Sequence, residues 1–397
     1  MKKNVLKLGL LCASVLMASC NGGNEPKTLK AKFKNYFPIG ATLNYTGVKN
    51  DVFYDIIDEF SSMTCENEMK WGSLHSYDSV TKKHTYSYAK ADEMVDYAQK
   101  HKMKIRGHAL VWHQGLGNDE GTTSWVFKDE NDETKLATKE VVLQRMRDHI
   151  REVMTHFKDD VYCWDVVNEA IDDNNTSPMN ENKTNVYRGS DWYEICGPDF
   201  IFEAFKTADE VRKELGIDVK LYYNDYENDS PVKLEKTVEM IKEMQKRGIA
   251  IDGIGLQCHY SVGNFNMDNL KNALETYAAL GIDVQITELD ISLYTLNSAM
   301  DKDPSLWIEY DSDDYYYYTD IQATIYGRIS KICREFVDNE YPESYGDFTG
   351  LTFWGVADED TWLSKYSDYR LNRVDYPLLF DALTREKKLS YEMFTDF

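Results

Sequence analysis

From about Phe37 onward the chain alternates between two hydrophobic patterns. Short runs rich in Val, Ile, Tyr and Trp are apolar at almost every position. Longer stretches between them repeat their apolar residues every three or four positions. The first pattern predicts strands buried on both faces, and the second predicts amphipathic helices packed against them. Strands are predicted at 36–45, 61–66, 103–110, 161–169, 219–223, 251–260, 284–290 and 350–356. Helices are predicted at 51–60, 87–101, 139–158, 200–215, 232–247 and 269–280, with another beginning at the tyrosines 315–318. In the third of these, Val142, Met146, Ile150, Val153 and Phe157 share one face. Eight strand–helix units in strict alternation predict an α/β fold, a single closed (β/α)8 TIM barrel. An open doubly wound sheet would need a glycine-rich phosphate turn after the first strand, and Gly40-Ala41-Thr42-Leu43 is not one. Residues 172–192 form a long connection rich in Asn, Asp and Ser, and 292–314 form an insertion after the seventh strand.

The first nineteen residues break this pattern. Lys2, Lys3 and Lys7 precede a short apolar core, Leu8 to Ala18, too short to span a bilayer as a stable helix. Met17-Ala18-Ser19-Cys20 resembles a bacterial lipobox, with Met where leucine is usual. It implies cleavage before Cys20 and lipid attachment to its sulfur. Residues 1–19 are therefore expected to be a signal peptide, 20–33 a lipidated cysteine with a flexible tether, and 34–397 the barrel. The expected place is the periplasmic or outer face of a bacterial membrane. Removing Cys12 and Cys20 leaves five cysteines, three of them in predicted buried strands. They read as small core hydrophobes rather than a disulfide framework. No Cys/His spacing points to zinc, so no metal or cofactor is expected. The net charge of −23 argues against nucleic acid. A monomer is expected.

Chemistry is concentrated where the strands end. Trp164-Asp165-Val166-Val167-Asn168-Glu169 is apolar along its length and polar at its carboxyl end, and Val284-Gln285-Ile286-Thr287-Glu288-Leu289-Asp290 has the same design. In a parallel barrel those ends line the pocket. Two strand-end carboxylates suit a retaining glycosidase, which places them about 5–5.5 Å apart across an anomeric carbon. Glu288 is the expected nucleophile, held ionised by His259 and Asp290. Glu169 is the expected acid and then base, with Glu288 nearby raising its pKa. Asn168 is placed to hold the sugar's 2-hydroxyl. Adjacent residues of a strand point opposite ways, so a bulge or strand break is predicted at Asn168-Glu169. A lone acidic residue is usually solvated surface, and this chain has 68 of them. What sets this chain apart is the coincidence of polar and aromatic groups at nearly every strand end.

These stretches resemble glycoside hydrolase family ten, the endo-β-1,4-xylanases. The matching segments are Glu66 to Trp71, Arg106 to His113, Trp164 to Ala170, Leu221 to Tyr226, Asp252 to Tyr260, Ile286 to Asp290 and Phe353 to Asp358. The resemblance implies the same roles for Glu169 and Glu288. It implies that Glu66, Asn67 and Lys70 grip the sugar one unit back from the cleaved residue. It places His108, Trp112, Asn168, Gln257 and Trp354 around the sugar being cleaved, and Tyr226 and Asn224 on the leaving-group side. Trp362 would crowd the space of a hexose hydroxymethyl and so favour xylose. Two departures stand out. Gln114 follows His113 directly, where the family often has glutamine one position later. Residues 387–391 lack the usual proline-alanine step. The expected partner is xylan or its oligosaccharides. The competing readings are a retaining cellulase or mannanase on the same barrel, and a catalytically silent glycan-binding lipoprotein. The silent form predicts a missing carboxylate, and both are present.

Overall fold

The computed structural model describes residues 28–118, 122–172, 186–294, 303–364 and 373–397. The expected signal peptide, Cys20 and most of the tether lie outside these residues, as do parts of the 172–192 and 292–314 segments. The strands, in chain order, are β1 Ile39–Leu43, β2 Ser62–Cys65, β3 His75–Asp78, β4 Lys83–Tyr86, β5 Lys104–Gly107, β6 Val161–Asn168, β7 Lys220–Asp225, β8 Gly253–Leu256, β9 His259–Ser261, β10 Asp283–Ser292 and β11 Phe348–Phe353. Eight of them pair in parallel in the order β11-β1-β2-β5-β6-β7-β8-β10, and a β10–β11 pairing closes the ring. Both faces of these strands are covered, which is why they read as unbroken apolar runs.

Helices wrap the barrel. They are α1 Leu29–Lys32, α2 Tyr45–Lys49, α3 Trp71–Leu74, α4 Ala89–Lys100, α5 Lys139–His156, α6 Asp191–Cys196, α7 Asp199–Leu215, α8 Pro231–Lys246, α9 Met267–Ala278, α10 Asp313–Asp338 and α11 Leu389–Phe394. α5 buries Val142, Met146, Ile150 and Val153, the face its spacing predicts. α8 begins with Pro231 at its first turn, where the missing N–H has no intrahelical partner to lose. α7 ends at Gly216, whose φ of +66° suits a residue without Cβ.

The structure corrects the sequence reading in several places. Residues 51–60 are not an α-helix. Phe53, Ile56, Ile57 and Phe60 are buried at helical spacing, but the segment is mostly turn with a 3-10 stretch, Ile57–Glu59. Apart from one α-type bond, Ile57 N to Phe53 O, its internal bonds follow the tighter i to i+3 pattern, from Ile56 N to Phe53 O, Glu59 N to Ile56 O and Phe60 N to Ile57 O. The tether does not reach residue 33. Leu29 and Phe33 are fully buried, and the Phe33 ring lies 5.1 Å from both Phe394 and Phe397. The predicted sixth strand is two, β8 and β9, because Cys258 between them takes φ +59° and redirects the chain. A hairpin, β3 with β4, was not foreseen. Of the four tyrosines, Tyr315 is buried, while Tyr316 and Tyr317 are exposed on the first turn of α10. The departing 387–391 segment leads into α11, and its Tyr391 donates to Glu59 Oε2 at 2.9 Å, a packing role. The five cysteines described are free and buried.

The inside of the barrel is polar below the pocket. Arg106 on β5 and Asp165 on β6 form a fully buried two-pronged ion pair. Arg106 Nε also donates to Gln285 Oε1 at 3.2 Å, and Tyr222 OH and Thr349 Oγ1 share a 2.9 Å bond. Burial opposes the charge of Arg106, but Asp165 raises its pKa above the ordinary arginine value. Pairing of this quality is what makes a buried guanidinium tolerable.

Candidate active site

At the carboxyl ends of the strands lies a cavity of about 500 Å³, within the size range of small-molecule sites. Its wall carries Glu66, Lys70, His108, Trp112, Asn168, Glu169, Tyr226, Gln257, His259, Glu288, Asp290, Trp354 and Trp362. These residues come from the ends of β2, β5, β6, β7, β8, β10 and β11, from β9, and from the loops that follow them.

The backbone explains why Asn168 and Glu169 can both face this space. β6 slips register against β7 between Asp165 and Val167, upstream of Asn168, while the strand break falls at Asn168-Glu169 as the sequence predicts. The strand then ends at Asn168, and Glu169 turns away with φ +56°. β10 has a matching irregularity. Its register against β11 shifts between Ile286 and Leu289, and against the β8–β9 pair it gains one residue over the same stretch. A bulge there re-aims side chains, and Glu288 sits within it.

Glu288 is almost wholly buried. Asn224 Nδ2 donates to its Oε1 at 2.7 Å, and His259 Nε2 lies 3.2 Å from its Oε2. His259 Nδ1 lies 3.0 Å from Asp290 Oδ1, and Trp362 Nε1 donates to Asp290 Oδ2 at 2.8 Å. The imidazole thus sits between two carboxylates. Burial pulls its pKa down, but Asp290 and then Glu288 outweigh that and raise it to about 10. Burial likewise pushes the Glu288 carboxyl up. The His259 hydrogen bond, the nearby His108 and His259 rings and the Asn224 amide overcome this and hold it at about 2. Glu288 is therefore an ionised carboxylate across the ordinary pH range.

Glu169 accepts from three donors: Trp112 Nε1 at 2.9 Å, Gln257 Nε2 at 3.0 Å and Asn168 Nδ2 at 3.2 Å. The two carboxylates are joined by amides. Asn224 Nδ2 also donates to Asn168 Oδ1 at 2.9 Å, so Asn224 and Asn168 bridge Glu288 to Glu169. Asn168 is held facing the cavity by this bond and by Gln257.

The remaining candidates divide. Lys70 lies 4.8 Å over the Trp112 ring and beside Glu66. Burial lowers its pKa against the opposing charges of Glu288, Glu66 and Glu169. Trp354 meets His108 and His259 edge-on, and the Trp362 ring lies 5.2 Å from His259. Asn67 is exposed, outside the cavity wall, and accepts from Lys70 Nζ at 3.0 Å. Asn224 is a correction. It is fully buried beneath Glu288, with Thr287 Oγ1 donating to its Oδ1 at 2.6 Å, so it does not face the leaving-group side. Tyr226 does line the cavity, beside Arg188, which the sequence reading missed. Arg188 lies in the polar connection after β6, where nothing in the pattern singles out one arginine. Gln114, despite its shifted place, lines the cavity with His113, their Nε2 atoms 3.3 Å apart. Among the described residues no His, Cys, Asp and Glu are grouped as a metal cage.

The chain matches the profile described as Glycosyl hydrolase family 10 over residues 28–396. It is 37% identical to a Beta-1,4-xylanase of Dictyoglomus thermophilum, over 94% of this chain and 91% of that one. It is 36% identical to Endo-1,4-beta-xylanase A of Caldicellulosiruptor saccharolyticus, over 92% and 95% of the two chains. A solved mutant structure in complex with xylotriose superposes with a TM-score of 0.77 at 35% identity, covering 93% of this chain and 99% of that one. With a profile match across nearly the whole barrel and relatives of this identity aligned end to end, the chain belongs to glycosyl hydrolase family 10.

Proposed function

We infer that this chain is a retaining endo-β-1,4-xylanase, acting as a monomer on xylan and xylo-oligosaccharides. The observation that carries the reading is a pair of carboxylates on one sugar-sized cavity in unlike surroundings. Glu288 is fixed and ionised by His259 and Asn224, while Glu169 stands among N–H donors beside Tyr226. In the first step Glu288 bonds to the anomeric carbon as Glu169 gives its proton to the departing oxygen. In the second, Glu169 takes a proton from water, which displaces Glu288. Asn168 would hold the 2-hydroxyl of the sugar being cleaved. Glu66 and Lys70, with Asn67 behind Lys70, would hold the unit before it. His108, Trp112, Gln257 and Trp354 would enclose the reacting ring.

Xylan is favoured over a hexose polymer by Trp362. Its indole stands on the cavity wall against His259 and Asp290 and would crowd a hydroxymethyl group. The relatives named xylanases point the same way. Incubating the purified chain with xylan, cellulose and mannan in parallel should release reducing ends from xylan. Glu288→Ala should lower that release on the order of 10⁴-fold or more while the protein stays folded. Faster release from cellulose or mannan would contradict the assignment, as would an active Glu288→Ala.

The pH profile tests the role of His259. The Glu288 pKa is depressed from its ordinary 4.5 to about 2, so its charged form is lost only as pH falls through the folded value. His259→Ala removes the opposing hydrogen bond and charge and leaves burial, which raises the pKa. The acid limb of kcat/KM should then move upward by at least about one pH unit. An unmoved limb would show that His259 does not set the charge of Glu288.

The reading extends to the amino-terminal segment. Cleavage before Cys20 and acylation of its sulfur would tether the barrel to a bacterial membrane, where oligosaccharides released from xylan could be taken up. In cells fed labelled palmitate, the wild-type chain should carry label and Cys20→Ala should not. Equal labelling of both would contradict the anchor.

A further inference from the structure

Directly behind the Glu169 loop lies a buried ionic group that the chemistry above does not use. Lys233 on α8 and Asp225 at the end of β7 are essentially without exposure, as is Tyr223. Lys233 Nζ donates to Asp225 Oδ1 at 2.7 Å. The Tyr223 hydroxyl donates to Asp225 Oδ2. The same hydroxyl accepts from the backbone N–H of Ala170 at 2.9 Å and of Ile171 at 3.0 Å, the two residues that follow Glu169. Asp225 Oδ1 also accepts from Tyr226 N at 2.9 Å, and Lys233 Nζ lies 3.7 Å from the centre of the Tyr226 ring.

Burying a charged pair is costly, and hydrophobic residues of similar volume often serve stability as well or better. The pair's contacts suggest another use. Glu169 holds φ +56°, a strained conformation for a residue with a Cβ that persists only where its surroundings over-determine it. Its own N–H donates to Asn224 O at 2.9 Å, and its carbonyl accepts from Arg188 Nε at 2.9 Å. The next two amides both end on the Tyr223 hydroxyl. Asp225 fixes the direction of that hydroxyl by accepting its hydrogen bond, and Lys233 balances the charge of Asp225. Tyr226, on the same cavity wall, is held by the same carboxylate and the same ammonium.

We propose that Tyr223, Asp225 and Lys233 are positioning residues that aim the Glu169 carboxyl at the departing glycosidic oxygen. The proposal rests on the reading of Glu169 as acid and base. Proton donation matters when the leaving oxygen is basic and little when the leaving group is stable as an anion. A general acid contributes on the order of 10²–10⁴-fold. An error of about 1 Å in placing a catalytic group can cost about a hundredfold. Misaimed acid should therefore show as a change in leaving-group preference rather than as a uniform loss.

The test compares kcat/KM for dinitrophenyl and phenyl β-xylobiosides, whose ratio does not depend on the fraction of protein folded. Glu169→Ala should raise the dinitrophenyl-to-phenyl ratio by about 10²–10⁴-fold. Tyr223→Phe, which removes the hydroxyl and keeps the ring, should raise it by roughly tenfold, as should Lys233→Met. Lys233→Arg, which keeps the charge, should lie nearer to wild type. A ratio unchanged in both Tyr223→Phe and Lys233→Met, with the Glu169→Ala ratio raised, overturns the proposal. A ratio unchanged in Glu169→Ala overturns the acid and base assignment instead.

Discussion

The Asn224 amide stands between the two halves of the site. Its Nδ2 reaches Glu288 on one side and Asn168 on the other, at 2.7 and 2.9 Å, while its oxygen is held by Thr287. β6, β7 and β10 thus meet at one side chain with no exposure to water. Buried polar groups of this kind must be satisfied, and each bond restricts the directions left for the others. The spacing of the carboxylates is consequently a property of the barrel's register rather than of flexible side chains. The bulges in β6 and β10 set that register, and the Arg106–Asp165 pair below ties β5 to β6.

Electrostatics complete what the backbone begins. A carboxylate as buried as Glu288 would ordinarily take up a proton. It stays charged because His259, itself held as a cation by Asp290, together with the nearby His108 and the Asn224 amide, returns more than burial removes. Trp362 closes the sequence by donating to Asp290. The indole that forms part of the cavity wall therefore also anchors the charge that keeps Glu288 ionised, so the shape of the cavity and the ionisation of Glu288 are physically joined.

The barrel was legible because parallel strands covered on both faces leave an apolar run that ends abruptly in polar residues. Trp164 to Glu169 and Val284 to Asp290 show this plainly, and the candidate pair came from those ends. Positions that depend on a neighbour's register were not legible. Asn224 looks in sequence like one more polar strand end, and only the pairing of β7 between β6 and β8, with side-chain bonds across to β10, turns it under Glu288. Nothing in the spacing shows that the β6 bulge falls before Val167 rather than at Asn168. The apolar spacing at 53–60 is truly helical, yet the backbone there takes the tighter turn. Asp225 and Lys233 belong to the residue types most often solvated, so nothing in the pattern marks them as buried. Leu29 and Phe33 looked like tether because their partners, Phe394 and Phe397, lie at the opposite end of the chain.

The most direct measurement is chemical trapping of the sugar on the protein. A 2-fluoro-xylobioside with a dinitrophenyl leaving group should release one dinitrophenolate per site and then stall, because fluorine slows both displacements while the activated leaving group restores the rate of the first alone. Mass spectrometry of the digested protein should find the added disaccharide on the peptide containing Glu288, and Glu169→Ala should still accept it. Label on any other carboxylate, or turnover with no covalent adduct at all, would contradict the account.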